Sequence, residues 1–272
     1  MSADPATPAS ERASTLSLDR AVAALRGSWP ALDERRLGGW LLGFSEGFTR
    51  RANSVWMLGA VKDLPAAVGA VEEAYRVRGL PSRFLTTDLS DSDEVAALRA
   101  FGYVTSLSGE VFACSLGPAD GPRQPLTGSH PSAVVSASAP QLPPDWLDAW
   151  LTWNGRRLPS DRRLAPRILS QGTPSFLSVS VDGSLVATAR LTVVDGLGIV
   201  DCLVTDRASR GRGYARQLLK RAEHEAFALG ASSCLAMVVD GNDASIRLFD
   251  RLGYHRLGAF RYLEGPARTS CC

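Results

Sequence analysis

Arg210-Gly211-Arg212-Gly213-Tyr214-Ala215 lies between an apolar run, Gly198 to Thr205, that reads as a strand, and an amphipathic segment that reads as a helix beginning near Tyr214. A glycine turn that opens a helix leaves several backbone N–H groups unpaired and pointing one way. Such a turn is an anion site, and phosphate is its commonest guest. Gly211 and Gly213 let the backbone approach the anion closely, and the arginines add charge. Strand, glycine turn and helix in this order put the chain in the α/β class and predict a phosphorylated ligand at the turn.

Two common phosphate loops do not fit. A Walker A loop continues Gly-Lys-Ser/Thr, whereas Gly213 is followed by Tyr214-Ala215. A dinucleotide fingerprint counted from Gly211 ends on Arg216 where Gly or Ala is needed, and no acid stands near Ala231-Ser232-Ser233 to hold a ribose.

The chain repeats itself. A helix ending at Gly230, a strand near Cys234–Val239, a short helix from about Ala244 to Leu252, Gly253-Tyr254 and a last strand to Tyr262 make one series. A helix ending at Gly79, a strand Arg83–Thr87, a helix Glu94–Phe101, Gly102-Tyr103 and a strand make the other. Glu72 matches Glu223, Gly79 matches Gly230, Phe101 matches Leu252 and Gly102-Tyr103 matches Gly253-Tyr254, all at an offset of 151 residues. A constant register over the whole series points to duplication of a βαβαβ unit. Position 210 then corresponds to Gly59, and the first copy, Gly59-Ala60-Val61-Lys62-Asp63-Leu64, has no glycine turn suited to phosphate.

Between the copies, Gly117 to Pro131 is rich in Pro, Gly and Ser and reads as a linker. The expected organisation is a disordered tail over 1–16, one domain over 17–116, the linker over 117–131, a second domain over 132–265 and a tail over 266–272. In the second domain an alternating run, Ala133–Ser138, precedes a helix opened by Pro144-Asp145 that carries Trp146, Trp150 and Trp153. A helix over Asp161–Ser170 follows, then strands Phe176–Val181 and Leu185–Val194 joined by the hairpin signal Asp182-Gly183.

Composition narrows the classes. The chain of 272 residues is 45% hydrophobic and 21% charged, a globular balance, and its net charge of +2 is too small to argue for nucleic acid. Five cysteines without CxxC spacing indicate neither a disulfide framework nor a zinc site, and three histidines do not make a His-rich metal centre. The start, MSADPATPASERAS, lacks a basic-then-apolar signal, and no apolar run is long enough to cross a bilayer. The expected compartment is the cytoplasm, without a membrane partner.

The turn fits the Arg/Gln-x-x-Gly-x-Gly/Ala loop of the GNAT superfamily of N-acetyltransferases. Leu203-Val204-Thr205-Asp206 resembles the strand that precedes the loop, and Asn242 with Leu248-Phe249 and Leu252-Gly253-Tyr254 resembles the family's Asn…Leu-Tyr…Gly-Phe motif. The resemblance covers Ala133–Leu263. The first half is similar to a degenerate GNAT-like domain, and Gly38-Gly39-Trp40-Leu41-Leu42 with Gly47-Phe48-Thr49-Arg50-Arg51-Ala52-Asn53-Ser54 resembles a group of actinobacterial acetyltransferases. The fold so implied is two tandem GNAT-like domains, each a mixed, mostly antiparallel twisted sheet flanked by helices, with the chemistry in the second.

The resemblance also implies site residues. Leu203, Val204 and Thr205 offer backbone groups to the pantetheine and thioester of acetyl-CoA. Arg210, Gly211, Arg212, Gly213, Tyr214, Ala215 and Arg216 hold the pyrophosphate, and Asn242 and Phe249 border the cofactor. An ammonium acceptor must lose a proton and the departing thiolate gains from receiving one. Asp201 stands where some family members carry a carboxylate as base or substrate anchor. The family's usual acid is the Tyr of Leu-Tyr, which is Phe249 here, so Tyr262, Tyr254 or water is left to serve. Cys202 would lie opposite Asp201 and Leu203 by alternation along the strand and reads as a small buried hydrophobe. No arginine or acidic cluster indicates a charge on the acceptor, which is a small-molecule or protein amine, and oligomeric state is not readable. A non-catalytic acetyl-CoA-binding regulatory module, or an acyltransferase with another acyl group, are the competing readings.

Overall fold

The computed structural model describes residues 16–117, 133–137 and 141–266. Their elements are α1 (Leu18–Ser28), β1 (Asp33–Leu37), β2 (Trp40–Phe44), β3 (Val55–Met57), α2 (Leu64–Arg76), β4 (Arg83–Thr87), α3 (Ser92–Ala100) and β5 (Val104–Ser115), then β6 (Ala133–Ala137), α4 (Pro144–Trp153), α5 (Pro159–Leu169), β7 (Ser175–Val181), β8 (Ser184–Val194), β9 (Leu197–Thr205), α6 (Tyr214–Ala228), β10 (Ser233–Val239), α7 (Asp243–Arg251) and β11 (His255–Glu264). The tail expected over 1–16 lies outside the described residues except for Leu16, the linker over 117–131 except for Gly117, and the tail over 266–272 except for Pro266.

The repeated helices follow their local signals. Each ends near a glycine in the left-handed region, with φ of 65° at Gly79, 88° at Gly102, 84° at Gly230 and 81° at Gly253. Asp63 opens α2, Asp91 opens α3 and Asn242 opens α7, each by accepting N–H bonds from the first turn. The exception is α6, whose N-cap is Gly213 with no side chain to offer. Asp182-Gly183 and Asp195-Gly196 all take positive φ, the demand of a tight two-residue hairpin, and they join β7 to β8 and β8 to β9.

The two halves share one sheet. Its eleven strands run in the order β1-β2-β3-β4-β11-β5-β10-β9-β8-β7-β6. The last strand of each half has crossed to the other. β11 pairs with β4 of the first half, β5 pairs with β10 of the second, and β5 and β11 run antiparallel between them. The register of that seam obeys the 151-residue offset. Gly109 faces Phe260, its own image; Val104 faces Glu264 while Ala113 faces His255, and these pairs are images of each other. Both irregularities of the seam repeat as well, one at Ser106 and one at Leu257. An approximate two-fold axis therefore passes between Gly109 and Phe260.

The exchange extends into the cores. α2 and α3 bury Trp40, Val71, Phe84 and Leu98 together with Leu263 from β11. α6 and α7 bury Leu218, Ala222 and Phe249 together with Phe112 from β5. Phe112 and Leu263 are images under the offset and are both fully buried. On the opposite face, α1 lays Ala21, Val22 and Leu25 over Leu197, Ile199, Phe260 and Tyr262, so a helix of the first half covers strands of the second. Beside it α4 and α5 bury Trp146, Trp150, Leu164 and Ile168 with Trp29 and Phe48 from the first half.

Each half on its own lacks a strand and a core side chain. The segment from 118 to 272, expressed alone, is expected to show no cooperative unfolding by circular dichroism. In the full chain Phe112→Ala is expected to cost about 3–5 kcal/mol, the usual loss for a buried Phe. Urea unfolding followed by circular dichroism and by tryptophan fluorescence should give one coincident transition. Two separated transitions would contradict the shared core.

Candidate active site

β9 and β10 run parallel and pair only at Leu197–Ser233, Gly198–Cys234 and Ile199–Leu235. Beyond that point β9 continues to Thr205 against β8, and β10 continues to Val239 against β5. The two strands splay into a fork. The peptide groups of β9 past Val200 that face β10 have no strand partner there, a requirement for anything that is to bind between them.

A bulge shapes the β9 arm of the fork. Cys202 has φ of 56°, unusual for a residue with a side chain, and the β8–β9 register slips between Thr188 and Arg190. The slip breaks the expected alternation between Asp201 and Cys202, which share a face, while Cys202 and Leu203 lie on opposite faces as expected. Cys202 and Val204 pack together against the Trp29, Phe48 and Trp150 cluster, and Leu203 packs against the α6 core on the opposite face. Burial, with the Asp201 charge beside it, pushes the Cys202 thiol far above its ordinary range.

At the open end of the fork the chain makes a short 3-10 turn, Arg207–Ser209, capped by the Asp206 carboxylate. It then passes through Gly211 and Gly213, at φ of 78° and 81°, into α6. A side chain at Gly211 would meet nothing within 4 Å. Arg210, Arg212 and Arg216 are exposed around the turn, and the Arg210 Nε–H donates to the Thr205 carbonyl at 3.4 Å. The first backbone bond of α6 is from Gln217 N–H to Gly213 O, so Tyr214, Ala215 and Arg216 present N–H groups that the helix cannot use. The first copy differs at this place: the Asp63 carboxylate caps α2 by accepting the Ala66 N–H at 3.0 Å. Its helix start is filled by a negative side chain, where α6 keeps an open, uncapped end.

The remaining residues singled out from sequence fall in different surroundings. Tyr214 follows the turn but is buried in the α6 core, its hydroxyl without a hydrogen bond. Asn242 is exposed at the start of α7, and its Oδ1 accepts the Ser245 N–H at 3.2 Å. Phe249 turns into the core, 5.5 Å from Phe112 and 4.9 Å from Tyr254 between ring centres. Tyr262 lies on β11, the strand that crossed to the first half, and is buried beside α1. Burial pushes its hydroxyl up to about 12, against the lowering influence of Arg51, Arg83 and Arg50.

Asp201 is not a free carboxylate. Arg51 of the first half donates to its Oδ1 at 2.6 Å, and Arg190 of β8 approaches its Oδ2 at 3.4 Å. Arg190 is wholly buried and also donates to the carbonyls of Leu169, Ser28 and Gln171. Arg51 reaches across the fork, with its other terminal nitrogen 3.6 Å from the sulfur of Met237 on β10 and its guanidinium 4.6 Å over the Trp29 ring. Burial is the largest influence and works to lower the Arg51 guanidinium, but the charge and hydrogen bond of Asp201, with Tyr262 and Cys202, together offset it and leave the group above its ordinary value. At Arg190 burial prevails and the group lies below its ordinary value. Arg156 stacks on the same aromatic wall, 4.7 Å over Phe48 and 5.6 Å over Trp150. Arginines do gather here, contrary to the expectation that none cluster. They come from residues far apart in the chain, Arg51 and Asp201 being 150 positions apart. The one local signal was Asp201 itself, a charge in an apolar strand, which needs a partner if buried.

Among the described residues no group of His, Cys, Asp and Glu could hold a metal ion, and no helix is long and apolar enough to cross a membrane.

The chain resembles known proteins along nearly its whole length. It is 25% identical over 252 residues to an uncharacterised N-acetyltransferase, YobR, of Bacillus subtilis, covering 90% of this chain and 96% of that protein. A GCN5-related N-acetyltransferase from Kribbella flavida superimposes with a TM-score of 0.69 at 18% identity, over 93% of this chain and 97% of that one. A tandem GNAT protein from the clavulanic acid biosynthesis pathway superimposes with a TM-score of 0.59 at 14% identity, over 76% and 70% of the two chains. The two structural likenesses establish a shared fold. The sequence pattern of the acetyltransferase (GNAT) family matches residues 141–254, the span that contains the fork, the glycine turn and α7. Over that span, which includes the fork and the glycine turn, the chain is similar to the acetyltransferase (GNAT) family.

Proposed function

We propose that the chain moves an acetyl group from acetyl-CoA to an amine by direct attack, with both substrates bound at the fork between β9 and β10. The observation that carries this reading is the meeting of the fork with an uncapped helix start. The fork leaves β9 peptide groups free for an extended ligand. The N–H groups of Tyr214, Ala215 and Arg216, with the positive end of the α6 dipole, suit a pyrophosphate. Arg210, Arg212 and Arg216 add charge around that turn. The first copy, with Asp63 in the corresponding place, offers no second site.

The side chains of the fork favour direct transfer. A thiolate is the nucleophilic form of cysteine, and the buried Cys202 thiol holds its proton, which argues against an acetyl-cysteine intermediate. Asp201 serves as counter-ion to Arg51 and Arg190 rather than as a base, because both of its oxygens are already engaged. The proton of an ammonium acceptor then leaves to solvent. Phe249 has no proton to give and faces the core, so Tyr262 is the proton donor we assign to the departing thiolate. Its hydroxyl stays protonated throughout the neutral range.

Four outcomes are expected. Calorimetry should find one acetyl-CoA site per chain. Gly213→Asp should weaken binding by more than about tenfold, through left-handed strain and a negative charge at the helix start; two sites per chain would contradict the single-site reading. Tyr262→Phe should lower kcat by about 100-fold, the lower end for a lost proton donor, with acetyl-CoA affinity retained; a rate equal to that of the unaltered protein would remove Tyr262 from the mechanism. With no carboxylate base, the rising limb of kcat/KM against pH should move with the acceptor's own pKa when two amines of different basicity are compared. A limb fixed near the same pH for both would return a base to the protein.

A further inference from the structure

The fork holds more positive than negative charge. Arg51 and Arg190 are both largely buried and share the single carboxylate of Asp201. Of the five N–H donors that a guanidinium carries, those of Arg51 meet only Asp201 and the Met237 sulfur among the described residues. A buried charge of this kind calls for a further anionic or polar partner. Arg51 stands where β9 and β10 part, beside the last paired residues, Ile199 and Leu235.

The same face carries two more guanidiniums. Arg156 lies over Phe48 and Trp150, the wall against which Cys202 and Val204 pack, and its ion pair is with Asp161 at 3.6 Å. Arg50 precedes Arg51, is exposed, stands near enough to Tyr262 for its charge to act on that hydroxyl, and has no ion pair among the described residues. The loop that carries Phe48, Arg50 and Arg51 is held rigid by Asn53. Its side chain accepts the N–H groups of Ser45 and Gly47 and donates to the carbonyls of Phe48 and Thr49. Thr49 in turn accepts the Trp29 indole N–H at 3.0 Å. A preformed guanidinium array on aromatic rings is suited to a planar carboxylate, which it can hold by paired N–H bonds.

We propose that the acceptor is an amine that also carries a carboxylate, of the α-amino acid kind, and that Arg50, Arg51 and Arg156 form the subsite for that carboxylate. The proposal rests on the acetyltransferase reading and names its substrate class. A simple alkylammonium would bring a further positive charge to a face where cations already outnumber anions. A carboxylate on the same molecule neutralises that face and leaves the amine free to point into the fork. On this view the first half of the chain, through the loop containing Arg50 and Arg51, supplies half of the acceptor site.

The test compares the common α-amino acids with their C-terminal amides as acceptors at saturating acetyl-CoA, following CoA release. The acids are expected to be preferred by about tenfold or more in kcat/KM, the scale of one charge-assisted contact. Arg156→Gln and Arg50→Gln are each expected to raise KM for the acids and bring the acid-to-amide ratio towards one. Amides or plain alkylamines used as well as the acids, or a ratio unmoved in both variants, would overturn the proposal. Calorimetry with N-acetylalanine and N-acetylalaninamide, with and without CoA, keeps the question separate from turnover. Tighter binding of the acid supports the carboxylate subsite even if no amine is acetylated, and equal binding of the two removes it. Failure of acetyl-CoA itself to bind would instead overturn the acetyltransferase reading.

Discussion

Where Gly109 faces Phe260, the last strand of each half lies in the other half's sheet, and the rest of the molecule is arranged around that contact. A side chain at Gly109 would lie 2.2 Å from the Val238 carbonyl and 2.6 Å from the Phe260 ring, so the approach of the strands depends on its having none. Because β5 pairs with β10 beyond Leu235, β10 has a partner on that side and can leave β9 without exposing both of its edges. The exchange thus makes the fork possible at small cost in backbone hydrogen bonds. It also carries β11, with Tyr262, to a position where Arg51 and Arg83 act on the tyrosine hydroxyl.

The halves are joined a second time by charge. Arg51, Asp201 and Arg190 link the loop after β2, the arm of the fork and the neighbouring strand. A buried ion pair of this sort adds little to stability compared with an apolar substitute, but removing one partner leaves an uncompensated charge. Its value lies in geometry: it fixes Arg51 across the fork and holds Asp201 away from solvent. The bulge at Cys202 has a related effect, since it turns Asp201 and Cys202 towards one face and Leu203 towards the other. On the proposed reading, side chains towards the acceptor and backbone towards the cofactor then act at neighbouring positions of one strand.

Much of the fold was legible because it is written in local signals. Gly79, Gly102, Gly230 and Gly253 end helices, Asp182-Gly183 makes a hairpin, and the offset between Glu72 and Glu223 announces a duplication. The turn at Arg210–Ala215 was legible for the same reason. The exchange of β5 and β11 was not, because a duplicated pattern is equally satisfied whether each strand stays with its own copy or crosses. Period-two reasoning placed Cys202 correctly against Leu203 but wrongly against Asp201, because a bulge is one residue of broken alternation with no marker such as glycine. The ion pairs of Asp201 were hidden by sequence distance. The resemblance put Phe249 beside the cofactor, whereas its packing against Phe112 and Tyr254 shows that the ring belongs to the core.

An antiparallel seam in which Gly109 meets its own counterpart, Phe260, and both irregularities recur in mirror positions is the seam that two separate copies of one unit would make on trading their last strands. Joining such a pair into one polypeptide makes the pairing independent of concentration and lets the copies diverge. Asp63 could then take the place that Gly213's neighbourhood keeps open, and the loop of Arg50 and Arg51 could be shaped to serve the other copy. The asymmetry between a helix start closed by its own carboxylate and one left open is, on the proposed reading, what a division of labour between fused copies would leave, one copy keeping the ligand turn and the other becoming part of its surroundings.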